Sequence, residues 1–347
     1  MGRMHSYFGD LAEAETTLRQ ALHLYREVAE QYPSQSTYSD DLAFSNIFLA
    51  EVLEKRMKLS EAESCFRQAL VVREQNVADV PKAEMYRIHI IRIHLGLQSV
   101  LNAVGHTEEA EEHYQQAIHQ ARRLAEIAQE QVAESPDDVK RYVGLGKAYL
   151  ILAKVMQEQP SFEHYSETIL HPVQRAGESL QWLDRASEVL GQASGGIYVD
   201  KVAKARALAH TTLGQHEEAI KAWDEAIAAS SEVWQPDLQV LKATSRIQVE
   251  PVESVIQDVE ELAAFAHEVS AHYNMACVYA LAISRSKDNS IEYAERAMEL
   301  LSGAVEANGP RLGPWWHATP ALDALRERED FQQLVARTTS PPQTARD

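Results

Sequence analysis

The chain is 347 residues long and strongly acidic, with 52 Asp and Glu against 33 Lys and Arg and a formal net charge of −19. Its 45% hydrophobic and 24% charged composition supports a substantial core and excludes a disordered chain. The acidic balance argues against DNA or RNA as a partner, because affinity for a phosphate backbone rests on Lys and Arg neutralising its charge.

The opening MGRMHSYFGD carries no apolar h-region, no apolar run approaches the ~18 residues of a membrane span, and no N-x-S/T acceptor occurs, so neither export nor a membrane is expected. Cys65 and Cys277 lie far apart inside helical patterns, which suggests neither a disulfide framework nor a zinc site and fits the reducing cytoplasm. Long stretches of Ala, Leu, Glu and Gln, punctuated by only 14 Gly and 12 Pro, predict helices in place of strands.

A short phrase recurs along the chain: a turn residue, then a large residue, Ala, a bulky residue and Ala again. It reads Gly9, Leu11, Ala14, Leu18, Ala21; then Met57, Leu59, Ala62, Phe66, Ala69; then Gly105, Thr107, Ala110, Tyr114, Ala117. A fourth good copy has Gly214, Ala219, Trp223 and Ala226, preceded by Ala207. Weaker copies lie at Ser179, Leu183 and Ala186, at Val255, Val259 and Leu262, and at Ala297, Leu301 and Ala304, so about seven units are expected. Offsets of three, four and seven place these residues on one stripe of a helix. Small residues let two antiparallel helices cross closely and large ones fill the adjoining gaps. One such pair cannot bury its stripe alone, so neighbours must stack.

The phrase resembles tetratricopeptide repeats, across most of residues 1–310. The resemblance implies an all-α fold, a tetratricopeptide-type right-handed superhelix (α-solenoid) of about seven helix pairs. The family period of about 34 residues is stretched in the first copies, and helices longer than the family norm in RQALHLYREVAEQYP and AIHQARRLAEIAQEQVAESP explain this, with Pro33 and Pro136 as late stops. Counted back from Gly9, part of the first opening helix is missing, as expected of an atypical terminal cap or of a chain that continues before Met1. The segment 157–172 stretches the fourth unit, and Gly191, Gly195 and Gly196 favour a helix end, placing a soft boundary near 195. The layout is 1–195, elongated repeats; 196–336, C-terminal repeats and capping helices; 337–347, a disordered tail.

The stretches SAHYNMACVYALA, YAERAMELLSGAVEANG and TPALDALREREDFQQLV are similar to the end of the repeat region in planctomycete-type bacterial serine/threonine protein kinases. Pro320, Leu322, Asp323, Leu325, Arg326, Asp330 and Phe331 carry that match, while Trp315, Trp316 and His317 depart from it. Thr319 should cap a closing helix with Pro320 at its first position, and Asp330 should start a short helix through Phe331 and Leu334.

In tetratricopeptide arrays the first helix of each pair lines the concave face, and the repeat phase carries this onto particular residues. They are Phe44, Ile47, Glu51 and Glu54 from the second unit and Arg92, Leu95, Ser99 and Asn102 from the third. The fifth contributes Lys201, Lys204, Leu208 and Thr211, and the last Ser270, Tyr273 and Cys277. The clamp that holds chaperone C-termini is disfavoured, since Leu241 stands where its Asn would be.

The signatures of catalysis are missing. No glycine-rich phosphate loop, H-R-D or D-F-G is present, and GLGKAY (144–149) lacks the early glycine and the Ser or Thr of a P-loop, so small residues for helix crossing explain it better. His216 lacks a second His four residues on, His89 and His94 diverge on a helix, and Cys277 reads as a packed thiol. Asp40-Asp41 and Asp137-Asp138 precede helical runs, where carboxylates favour the positive helix end. No cofactor or metal is implied. The expected function is a non-catalytic, cytoplasmic protein–protein interaction scaffold that holds a partner segment in a concave groove, a basic or cationic segment fitting the overall charge. The alternatives are a repeat fragment of a kinase whose catalytic domain lies elsewhere, and a small-ligand sensor.

Overall fold

A computed structural model describes residues 11–32, 36–157, 172–193, 198–263, 265, 271–286, 288–308 and 319–339. Among these residues there are fourteen α-helices, two short 3-10 helices and no strand. The chain divides into two compact units, Met1–Asp137 and Asp138–Asp347. The first holds α1 (Leu11–Gln31), α2 (Ser36–Lys55), α3 (Leu59–Asp79), α4 (Glu84–Ala103) and α5 (Thr107–Glu134). The second holds α6 (Val139–Gln157), α7 (Pro172–Ala193), α8 (Val199–Thr212), α9 (His216–Ala229), α10 (Gln235–Val249), α11 (Val252–Leu262), α12 (Ala271–Arg285), α13 (Ser290–Asn308) and α14 (Glu329–Thr339). Residue 195, where a soft boundary was expected, falls in the second unit and outside the described residues.

Within each unit helices pack on their neighbours in sequence, in pairs joined by short turns. A further set of contacts skips one helix and joins α2 to α4, α6 to α8 and α10 to α12. These are the first helices of successive pairs, so each unit is an all-α helical-repeat solenoid in which each pair leans on the next through its second helix as well as its first. Six complete pairs run from α2–α3 to α12–α13, with α1 as the second helix of an earlier repeat.

The repeated turn residue has a specific backbone task. Met57, Gly105 and Gly214 have φ of 56, 85 and 71°, the left-handed region. In each case the turn residue's N–H donates to a carbonyl three residues back (Glu54, Asn102, Thr211), and the following N–H donates five back (Leu53, Leu101, His210). That pairing satisfies carbonyls otherwise orphaned at a helix end and reverses the chain within three residues. Glycine reaches this conformation without a Cβ penalty, whereas Met57 does not.

The small and bulky positions then form the core. Ala14, Ala62, Ala69, Ala110, Ala117 and Ala219 are fully buried, as are Phe66 and Tyr114, with Trp223 at 1% exposure. Ala21 is only half-buried. The weaker copies behave alike: Ser179, Leu183, Ala186, Val255, Val259, Ala297, Leu301 and Ala304 are all fully buried, while Leu262 is half-buried. Burying each aromatic contributes roughly 1.5–3 kcal/mol relative to exposure. Two first helices carry glycine where a large side chain from a second helix arrives. A Cβ on Gly96 of α4 would lie 2.3 Å from Phe66 Cζ of α3, and one on Gly146 of α6 would lie 2.4 Å from Leu190 Cγ of α7. GLGKAY is therefore a helix-crossing sequence inside α6.

The helix lengths explain the stretched period. α2 and α3 have 20 and 21 residues and α4 and α5 have 20 and 28, against 14 each in α8 and α9. At the far end Thr319 precedes a 3-10 helix, Pro320–Leu325, with Pro at its start, but its hydroxyl makes no capping bond and meets the Tyr273 hydroxyl at 2.8 Å. Leu322, Leu325, Phe331, Leu334 and Val335 join the core of α12 and α13. α14 continues to Thr339, past the expected end of order at 337, and residues 340–347 lie outside the described set.

Asp138 accepts a hydrogen bond from the Lys140 N–H, as a helix-start carboxylate should. Asp40 does something else. It sits inside α2 and accepts from Arg73 Nη1 at 2.5 Å, Asn76 Nδ2 at 2.5 Å and Tyr86 Oη at 2.9 Å, tying α2, α3 and α4 together around an Arg73 that is 2% exposed.

Candidate partner-binding groove

The first-helix faces of the two units differ in charge. On the first, Glu51 of α2 pairs with Arg92 of α4, and the Arg92 guanidinium also lies over the Phe48 ring at 4.6 Å. Ser99 donates to Glu54 at 2.6 Å, and burial pushes the Glu54 carboxyl above the ordinary carboxylate range. Phe44 packs on Phe48 and His89 at centroid distances of 4.6 and 5.3 Å. These charged groups answer one another across the α2–α4 contact. Leu95 and Asn102 are half-buried, and Ile47 is fully buried, so Ile47 fills the helix-pair core and offers nothing to a partner.

On the second unit a groove of about 840 Å³ opens between α6, α8 and the α9–α10 turn. Its lining includes Lys154 and Gln157 from α6, Lys201, Lys204, Leu208 and Thr211 from α8, and Trp234 and Leu238 beyond α9. The helical spacing from Lys201 through Lys204 and Leu208 to Thr211 places all four on one face of α8. Val202, Ala203, Ala207 and Ala209 of the same helix are buried, and Ala205, also buried, lies in the groove floor. Gln157 pins the floor: its amide donates to Ala205 O at 3.0 Å and to Ser179 Oγ at 3.1 Å. Thr211 Oγ1 meets Ser245 Oγ at 3.0 Å, linking α8 to α10. Leu208 and Trp234 keep 41% and 43% of their surface exposed. Lys201 stands 5.2 Å from the centroid of the Tyr198 ring, and neither Lys201 nor Lys204 forms an ion pair among the described residues.

The groove thus brings together all four residues expected from the fifth unit. The last unit contributes less. Ser270 lies outside the described residues, Tyr273 is half-buried with its hydroxyl held by Thr319, and Cys277 is 5% exposed. Burial pushes the Cys277 thiol up to about 12, which removes the thiolate a nucleophile would need. Cys277 is a core residue, part of the buried cluster that α12 shares with α10, α11, α13 and the cap.

Sequence reasoning missed Lys154, Trp234 and Leu238, which reach the groove only through the packing of α6 on α8 and the turn after α9. The one available signal was Trp234 itself, a large aromatic in the polar connection just before Pro236. It also missed the contact between His94 and His113, whose Nδ1 atoms are 3.0 Å apart between α4 and α5. Among the described residues no group of three or more His, Cys, Asp or Glu is placed to hold a metal ion. No described helix is long and apolar enough to cross a membrane.

No protein-family model matches the chain, and no curated protein matches it. Solved structures similar to it include a tetratricopeptide repeat protein from Parabacteroides merdae, at 15% identity over 98% of this chain and 96% of that one, with a TM-score of 0.43. A thermophilic TPR protein from Thermus thermophilus matches at 15% identity over 65% of this chain and 96% of its own, with a TM-score of 0.33. A monomeric mutant of IFIT1, solved with Gppp-AAAA, matches at 15% identity over 98% of this chain and 68% of its own, with a TM-score of 0.38. Likenesses this distant carry no argument about function.

Proposed function

We propose that the protein is a non-catalytic interaction scaffold of the cytoplasm that holds a segment of a partner protein along the first-helix face of its second unit. The observation behind this reading is the α6–α8 groove, where exposed Leu208 and Trp234 stand beside lysines on a floor fixed by Gln157. Large aromatic and aliphatic side chains next to polar donors are the usual anchors of a protein interface. A preformed groove built on helices takes an extended or helical segment with little reorganisation. The first unit's face, where Arg92 answers Glu51 and Ser99 answers Glu54, has fewer charges to offer and is assigned a secondary role.

Affinity capture with in-cell cross-linking tests this. Wild type should enrich a discrete protein, and Leu208→Glu, a change at an exposed position, should lose it at least tenfold while melting like wild type. Equal recovery by both forms would remove the groove from the function. A tie to bacterial kinase repeat regions rests on the closing residues alone. Leu322, Leu325 and Phe331 are buried over α12 and α13, so capping by itself accounts for them. An in-frame H-R-D and D-F-G upstream of Met1 would revive that reading.

A further inference from the structure

The net charge of −19 points by itself to a cationic partner. The groove says the opposite. Among its described lining residues, Lys154, Lys201 and Lys204 are cationic and Asp200 is the one acid. Elsewhere in the second unit several cations are paired, Arg206 with Asp184, Lys242 with Asp224, Arg246 with Glu250 and Asp258, and Arg296 with Glu260 and Glu299, while Lys140 and Lys221 form no ion pair among the described residues. Lys201 and Lys204 have no such partner among the described residues, and Lys201 shares the Tyr198 ring with Lys147, which lies 5.3 Å from it. Like charges gathered on one wall repel each other, and a bound anion relieves that repulsion. The same groove exposes Leu208 and Trp234, apolar surface that a bare anion leaves wet.

We infer that the groove selects a short acidic peptide segment carrying one large apolar side chain, the carboxylates meeting Lys201 and Lys204 and the apolar group covering Leu208 and Trp234. This rests on the groove being the partner site. A nucleic acid shares the negative charge but presents it continuously along its length, against which the chain's overall −19 works. A segment of a few residues keeps its charge inside the cationic patch. The occupant need not end in a free carboxylate, since the lysines lie along the side of α8.

The test is an array of amidated 12-residue peptides rich in Glu and Asp, each with one central Leu, Ile, Met, Phe, Trp or Tyr. Parallel sets replace the acids by Lys or the apolar residue by Gly, and a dT12 oligonucleotide is included. The best acidic peptide should bind the full chain at least tenfold more tightly than its Lys counterpart and its Gly counterpart. Binding should fall at least tenfold in Lys201→Glu/Lys204→Glu, less in Lys201→Met/Lys204→Met, and severalfold between 50 and 500 mM NaCl. Melting curves of the variants, all at exposed or half-buried positions, verify folding. If the Lys peptides bind better and Leu208→Glu abolishes it, the groove stands and the acidic selectivity is overturned. If dT12 binds better than every peptide, the segment proposal is likewise overturned. If no peptide binds, or none responds to the groove variants, both this inference and the reading beneath it fall.

Discussion

Replacing Gly96 by Ala should destabilise the first unit, although helix propensity alone predicts the reverse. Gly96 lies inside α4, where Gly→Ala normally gains about 1 kcal/mol. The added Cβ would meet Phe66 Cζ at 2.3 Å and both Cε atoms at 2.7 Å, whereas carbon atoms pack at about 3.5–4.0 Å. Against the lower figure the shortfall is about 1.2 Å at Cζ and about 0.8 Å at each Cε, at three ring atoms at once. Phe66 is fully buried between Ala62 and Ala69, themselves fully buried, so the ring has no free space to turn into. Relief must come from an off-rotamer ring or from parting α3 and α4, and overpacking of this kind costs about 1–3 kcal/mol. Taking the upper end and subtracting the propensity gain leaves a net loss of about 2 kcal/mol. Urea unfolding followed by far-UV circular dichroism measures it. Gly177→Ala is the control, since nothing lies within 4 Å of that position's Cβ, and it should gain roughly 0.5–1 kcal/mol. In a Phe66→Leu background, where the ring tip is gone, Gly96→Ala should be neutral or stabilising. A gain for Gly96→Ala in the wild-type background, or the same loss with and without the ring, would refute the close approach.

Met57→Gly should raise stability by about 1 kcal/mol in the same assay, because φ of 56° burdens any residue with a Cβ, while Gly105→Ala and Gly214→Ala should each lose about as much; a loss for Met57→Gly would mean its side-chain packing outweighs backbone strain. Arg73→Met should cost about 2–3 kcal/mol, below the usual figure for breaking a buried pair because Asp40 keeps some solvent, and adding Asp40→Asn should recover part of it; a Met variant as stable as wild type would remove the α2–α3–α4 tie. Burial pushes His89 and His94 down to about 4, so both are neutral in the fold where the unfolded chain titrates near 6.5. Stability should be level above about pH 6.5 and fall as pH drops toward about 4, by at most roughly 3 kcal/mol per histidine. His94→Gln should flatten that slope, and an unchanged slope would show that His94 is not held neutral.

Much of this architecture was legible from spacing alone. Every second-helix residue the repeat phrase singled out from Leu11 to Ala304 is buried, apart from Ala21, Leu59, Thr107 and Leu262, because one stripe of a helix can face a neighbour only if the same offsets recur. The α8 groove residues were legible for the same reason: burial of Ala203 and Ala207 fixes the face on which Lys201, Lys204 and Leu208 must stand. First helices read less well. They contact both their own partner and the next first helix, so more of their circumference is buried, and Ile47 and Cys277 fell on the hidden side.

The sequence by itself determined the helices, their pairing and the turn chemistry, since these depend on residues within a few positions of one another: Gly105 and Gly214 close their own turns, and Ala110 and Tyr114, just beyond one such turn, are buried. Only the tertiary structure decided which charges remain available. Arg92 is answered by Glu51 forty-one residues away, Asp40 serves Arg73 instead of a helix end, and Lys201 and Lys204 line one groove with Trp234, neither of them in an ion pair among the described residues. Net charge sums the whole chain, whereas a partner meets the potential of one wall, and distances set by folding decide that potential.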